Sequence, residues 1–254
     1  MRLKLFILIS LVFSAVNAYA LTEDELRAKA VAALDNVKNF VMDNTMEMRI
    51  STVNPGSDNV FLFDQFMASR SGIDLEKNSV RMEYTVNIKT KDKEQAMPGQ
   101  VYIADGFFYQ KIGEQWFKRA LTDIDKEVFK TCIQEKELLS SAQVEIITQD
   151  PLYAVVVPDK EKASKEMIEK MRVTLGDKAG KFNITVETMA FEYWFDSDFN
   201  IKRKRTLSRV KVAAADQPAQ IIEESTSAAY NAYNQGVDLE LPADVKDAQL
   251  SPIK

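Results

Sequence analysis

From residue 80 to residue 89 apolar and polar side chains alternate without a break. Val80, Met82, Tyr84, Val86 and Ile88 fall on one side, and Arg81, Glu83, Thr85, Asn87 and Lys89 on the other. A period of two is the mark of a half-buried strand. The same period covers residues 40–51, where Met46, Met48 and Ile50 alternate with Thr45, Glu47, Arg49 and Ser51. It returns over residues 60–69, with Phe61, Phe63 and Phe66 as bulk, and breaks near Gln65 and Phe66, which predicts a β-bulge there. Residues 98–119, PGQVYIADGFFYQKIGEQWFKR, read as three short strands joined by two tight turns at Asp105-Gly106 and Gly113-Glu114. Further strands are expected over 144–148, 153–157, 182–195, 201–213 and about 219–229. In the first of the long ones, apolar parity changes between Val186 and Phe191, so a second bulge belongs near Thr188.

Helical spacing appears in three places. Thr22-Glu23-Asp24-Glu25 is a capping box, and Leu26, Ala30, Ala33, Leu34 and Val37 follow it as a narrow apolar stripe. A second helical segment covers about 122–139, with Ile124, Val128, Phe129 and Cys132 placed to pack. The third covers 160–175, starts at Pro158-Asp159, carries Ala163, Met167, Ile168 and Met171, and stops at 177–180. No strand-helix-strand rhythm is present, which excludes a doubly wound parallel sheet. The expected fold class is α+β: one large curved antiparallel sheet, an open half-barrel of about ten strands, wrapped around two to three helices.

Composition narrows the chemistry. With 254 residues and no Pro/Gly/Ser-rich linker, one domain is expected over 21–254. Residues 1–20 read as a signal peptide: Arg2 and Lys4 precede a short apolar run, and Ala18-Tyr19-Ala20 is a small-x-small cleavage signal. Export to the periplasm or the extracellular space and cleavage after Ala20 are therefore expected, and losing Arg2 and Lys4 takes the formal charge from −5 to −7. Such an acidic balance argues against nucleic acid as a partner. The chain contains no histidine, which removes the Ser-His-Asp and Cys-His constellations and the commonest metal ligand. Cys132, the single cysteine, excludes an internal disulfide and a zinc cluster, and a buried structural thiol is its expected state. No Gly-rich phosphate loop and no Gly-x-Ser-x-Gly elbow occurs, and neither a cofactor nor a metal is expected.

Other motifs have plain structural readings. Lys202-Arg203-Lys204-Arg205, with Arg209 and Lys211, lies on an expected strand, so its members point alternately to both faces and pair with acids such as Glu192, Glu223 or Glu224. Asp123-Ile124-Asp125 and Asp196-Ser197-Asp198 lack the calcium-loop pattern and read as a helix cap and a turn. Asn183-Ile184-Thr185 fits a glycosylation acceptor but falls inside an expected strand. Ten methionines are more than a packed core needs, and flexible thioethers suit a surface that accommodates variable apolar ligands. The candidate lining of such a cavity is Met46, Met48, Ile50, Phe61, Phe63, Val80, Met82, Tyr84 and Val86.

The segment Tyr102-x-x-Asp105-Gly106-x-x-Tyr109-x-Lys111-x-Gly113-x-x-Trp116-x-Lys118, the element order around it, and the closing Leu239-Glu240-Leu241-Pro242 resemble the periplasmic lipoprotein-carrier superfamily typified by LolA, with its LppX/LprG-like relatives. That resemblance implies an open antiparallel half-barrel whose hollow, partly covered by helices, holds acyl chains. Its implied partners are lipid acyl chains or a lipidated protein, with transient contact at a membrane surface. Unlike lipid-anchored members, this chain has Leu21 and not Cys at its expected mature start, and no functional residue of the superfamily aligns with a position here. Two functions follow as expectations: a non-enzymatic carrier of lipids or lipidated proteins, or an envelope scaffold with a closed core. A carboxylate-based hydrolase is a distant third.

Overall fold

In space the period-two segments become a single sheet. The computed structural model describes residues 21–53, 59–175, 182–214 and 217–250, with backbone alone for 170–175, 217 and 247. The expected signal peptide at 1–20, the segment Asn54-Pro55-Gly56-Ser57-Asp58, whose composition predicts a turn, the helix stop at 177–180 and the Met171 side chain lie outside the described residues. The strands are β1 (Asn39–Thr52), β2 (Val60–Asp74), β3 (Ser79–Thr90), β4 (Glu94–Ala104), β5 (Phe107–Ile112), β6 (Gln115–Ala120), β7 (Gln143–Gln149), β8 (Leu152–Val157), β9 (Phe182–Phe195), β10 (Ile201–Ala214), β11 (Gln217–Tyr233) and β12 (Gln249–Leu250). They form one 12-stranded sheet in the order β12-β6-β5-β4-β3-β2-β1-β11-β10-β9-β8-β7. Every pairing is antiparallel except the two-residue β12, which runs parallel to β6. The sheet is curved and open, a half-barrel not closed on itself.

Local chemistry sets the turns. Asp105 (φ 52°) and Gly106 (φ 80°) both take the left-handed conformation that a two-residue turn between β4 and β5 demands. Gly113 (φ 61°) does so between β5 and β6. The bulge in β9 falls at Glu187, beside Thr188 as expected, where pairing with β10 jumps from Thr188–Arg209 to Val186–Val210. The bulge in β2 does not fall at Gln65–Phe66. It is the extra residue Leu62, since Ile50 pairs with Phe63 while Ser51 pairs with Phe61.

Three helical segments cover one face of this sheet, hereafter the inner face. α1 (Glu23–Asp35) has the expected capping box: the Glu25 backbone N–H donates to Thr22 Oγ1 at 3.2 Å and the Thr22 N–H to Glu25 Oε2 at 2.9 Å. The second segment is broken into α2 (Asp123–Lys126), a 3-10 turn at Glu127–Lys130 and α3 (Thr131–Ser141). That break turns Ile124 outward, 52% exposed, against the expectation that it packs. Asp125 instead caps α2 with Thr122 and holds Arg119 at 2.8 Å. α4 (Lys160–Leu175) lies on β9 through Ala163, Met167 and Ile168 over Ile184, Val186 and Val210. The Ser164 hydroxyl accepts the Val186 N–H at 3.0 Å and so pins α4 beside the bulge.

The main core joins opposite ends of the sheet. Phe40, Ile73, Val80 and Ile103 stand opposite one another across β1 to β4. They share one buried cluster with Val144, Val156 and Tyr193 from β7, β8 and β9 and with Leu26, Ala30, Leu34 and Leu139 from α1 and α3. Strands this far apart in the order meet a common core only if the sheet curls around the helices. The Arg27 guanidinium of α1 donates to the carbonyls of Leu139 and Ala142, closing the C-terminus of α3.

After β11 the chain crosses the opposite, outer face as a strap. Val237 and Leu239 sit against Gly72, where a Cβ would come within 2.3 Å of Val237 Cγ1. Leu241, Val245 and Ala248 then close over Tyr102 and Trp116, and the Trp116 indole N–H donates to Asp244 at 2.9 Å.

Candidate binding site on the inner face

Because directly paired residues share a face, the register lists the inner surface row by row. The row Phe40, Ile73, Val80 and Ile103 is sealed under α1 and α3. Further along the strands lies a polar row: Tyr193, Lys204, Ala228, Asn44, Ser69, Tyr84 and Gly99. Beyond it comes Phe191, Thr206, Thr226, Met46, Met67, Val86 and Met97, and then Met189, Ser208, Glu224, Met48, Gln65, Ile88 and Gln95. Val186, Val210, Ile222, Ile50 and Phe63 form the last apolar row, in which Val186 and Val210 are buried beneath α4. Away from the α4 contact at Val186 and Val210, none of the apolar side chains in these rows is buried, and Met97 is 37% exposed.

The register therefore gathers Met46, Met48, Ile50, Phe63 and Val86 into one half-exposed apolar strip. Met82 packs at the margin of the sealed core. Val80 is 5% exposed inside that core and has no surface left to line a hollow. Tyr84 lies across Gly99, whose Cβ would come within 2.3 Å of the ring, and its hydroxyl accepts from Gln110 Nε2 at 3.2 Å. Phe61 is on the outer face: the extra residue Leu62 reverses its parity, and the Arg49 guanidinium stands 5.9 Å from its ring centroid. Met67 belongs to the strip and escaped sequence reasoning for the same reason, since a bulge placed at Gln65–Phe66 puts it out of phase.

At one end of the strip is a hollow of about 600 Å³ between α3 and α4. Met189 and Phe191 line it, so its floor continues row by row into Met46 and Met48. At its base the Lys204 ammonium pairs with Glu135, whose other oxygen accepts the Tyr193 hydroxyl at 2.5 Å. Rings of Phe191 and Tyr193 stand 4.8 and 5.6 Å from that ammonium. Burial first, and the Glu135 charge second, push the Tyr193 phenol well above its ordinary range. The Glu135 carboxylate thus takes both the Lys204 ammonium and the Tyr193 hydroxyl. Sequence gave no warning of the pair, because Glu135 sits in the charged run Gln134-Glu135-Lys136-Glu137 that reads as solvent-facing.

Cys132 is buried in the same core, and burial pushes its thiol up to about 11. Among the described residues no group of three or more Cys, Asp or Glu side chains could hold a metal ion. Of the basic run, Arg205 meets Glu192 at 3.7 Å and Arg209 meets Glu187 at 2.7 Å and Glu223, while Lys204 turns inward.

Fold and site together define an α+β half-barrel whose inner face is sealed by α1 and α3 at one end and, at the other, covered by α4 only over β9 and β10, leaving the apolar side chains of β1 to β4 half-exposed. The model of DUF6612, a family of unknown function, matches residues 22–250, and the chain belongs to that family. No curated protein matches the sequence. Among solved structures the chain is similar to LprF from Mycobacterium bovis, with 7% identity and a TM-score of 0.48, covering 87% of this chain and 97% of that one. It is also similar to a beta-barrel-like protein of the domain of unknown function DUF1849 from Brucella abortus, with 10% identity and a TM-score of 0.27, covering 75% and 98%. At these scores neither likeness bears on function.

Proposed function

We propose that this is an exported binding protein, not an enzyme, and that its open inner strip takes a long apolar chain such as the acyl chain of a lipid or a lipidated protein. The observation that carries this reading is the continuous row from Phe191 in the hollow to Met97 at β4, in which no apolar side chain is sealed. From β9 to β4 the row crosses six inter-strand steps, about 29 Å at about 4.8 Å each. Thioethers at Met46, Met67 and Met97 adapt to chains of different shape. The hollow at its end falls within the roughly 300–1,000 Å³ of ordinary ligand sites. Covering apolar surface with an acyl chain contributes about 25 cal/mol per Å².

Native mass spectrometry of the protein purified from the envelope of its own cells, followed by organic extraction, tests this reading. A lipid adduct is expected on the parent chain and its loss on Met67→Glu, with an unchanged melting temperature. A parent chain without any adduct, recovered with a stoichiometric protein partner, contradicts the carrier reading and leaves the scaffold.

A further inference from the structure

Midway across the inner face, between the sealed core and the open strip, three small polar side chains stand together. Asn44 on β1 pairs directly with Ser69 on β2, so their Cβ atoms are about 4.5–5.5 Å apart. Ser71 lies on the same face one row nearer the core, about 7 Å along β2 from Ser69. Ser71 is 5% exposed, yet its hydroxyl meets no hydrogen-bonding group among the described residues, and neither does that of Ser69. The Asn44 side chain is likewise without a partner among them, and its Oδ1 is buried. Asn39 Oδ1, the other buried oxygen of this kind, lies on the opposite face. Buried polar groups in folded proteins are nearly always paired, so three such groups in one place mark a site whose partner comes from outside the chain.

The surroundings select that partner. Ala228 beside Asn44 is small, and beyond Ser69 the Tyr84 ring leans over Gly99 toward Gln110, so Asn44 and Ser69 stand in a notch between Lys204 and Tyr84. The notch opens on the next row at Met46 and Met67, the start of the strip. Met46 is a flexible, half-exposed chain, so the Asn44 amide is reached by a change of its rotamer and not by moving the sheet. Lys204 is the one cation in these rows and is held by Glu135. On the strip side stands a carboxylate, Glu224, which accepts from the Thr226 hydroxyl at 2.9 Å. An anionic head would therefore be buried in the notch without a counter-charge. A head that only accepts leaves the Asn44 Oδ1 unmatched. A neutral hydroxyl or amide both donates and accepts, and so answers all three side chains.

We infer that the notch at Asn44, Ser69 and Ser71 seats the uncharged hydrogen-bonding head of the ligand, a hydroxyl or an amide, while the acyl chain lies along Met46 and Met67. This rests on the acyl-binding reading of the strip and narrows its ligand to neutral lipids. The test titrates the mature protein calorimetrically with four ligands of one chain length, monododecanoylglycerol, dodecanamide, dodecanoate and methyl dodecanoate. The pH is mildly alkaline and each ligand is kept below its aggregation concentration. The glycerol and amide ligands are expected to bind about tenfold or more tighter than the other two, and the tighter of them identifies the group. Asn44→Leu and Ser69→Ala should each bring both down to the affinity of the methyl ester, without lowering the melting temperature. Equal affinity for all four, tightest binding of dodecanoate, or variants that keep the preference overturns the inference and leaves the strip standing. Failure of all four to bind removes the strip reading and this one with it.

Discussion

The inner face of the sheet is built from one alternating pattern but has two ends with different fates. At the sealed end Phe40, Ile73, Val80 and Ile103 meet α1 and α3 and are 5% exposed or less. At the open end Ile50, Phe63, Met46, Met67 and Val86 occupy equivalent positions on the same strands and remain half-exposed. Strand periodicity therefore specifies which side chains share a face and nothing about whether a second layer covers them. In the proposed function it is this half-exposed strip, and not the sealed end, that meets the ligand.

Identical chemistry at the two ends should give the widest separation. Phe40→Ala is expected to cost about 3–5 kcal/mol in denaturant unfolding, whereas Phe63→Ala costs about 1 kcal/mol or less. Equal losses would mean that the open end is packed after all. Next in size is the boundary between the ends: Lys204→Met strands the buried Glu135 charge and should cost about 3 kcal/mol. Adding Glu135→Leu to that variant should restore only part of the loss, because it removes the stranded charge but leaves the buried Tyr193 hydroxyl without its acceptor.

A smaller effect marks the far side of the sealed end. The Arg119 guanidinium, with Thr122, lowers the Asp125 carboxyl to about 2. A carboxyl whose folded value is depressed contributes stability that is present above its unfolded value near 4 and disappears as pH falls through 2. Asp125→Asn should therefore cost about 2 kcal/mol at neutral pH and nothing near pH 2, as read from paired melting curves. The smallest effect concerns Cys132: native protein at neutral pH should react with a thiol reagent far more slowly than unfolded protein, and rapid native labelling would show that the α3 side of the core opens.

Much of the sheet was legible because its information is local. The Val80–Ile88 alternation, the Asp105-Gly106 turn, the capping box at Thr22 and the bulge beside Thr188 each need only a few neighbouring residues. What was not legible depends on distant pairing. Leu62 became the bulge because of its register against Ile50 and Ser51, and this moved Phe61 to the outer face and brought Met67 to the inner one. Val80 looked like cavity lining because nothing in its own strand reveals that α1 and α3 cover it. The twelve strands exceed the expected ten partly because β12 exists only where the returning strap meets β6. Likewise the expected strand stops at residue 69, short of Gly72, because nothing local shows that the returning strap rests Val237 on that glycine.

The most direct test of the open end uses the methionines as reporters. With methyl-labelled methionine, adding a spin-labelled stearate to the mature protein should broaden the NMR signals of Met46, Met67 and Met97 and leave that of Met42, at the margin of the sealed core, unchanged. Broadening of Met42 alone, or of no methionine while stearate remains free in solution, would contradict an acyl-binding strip.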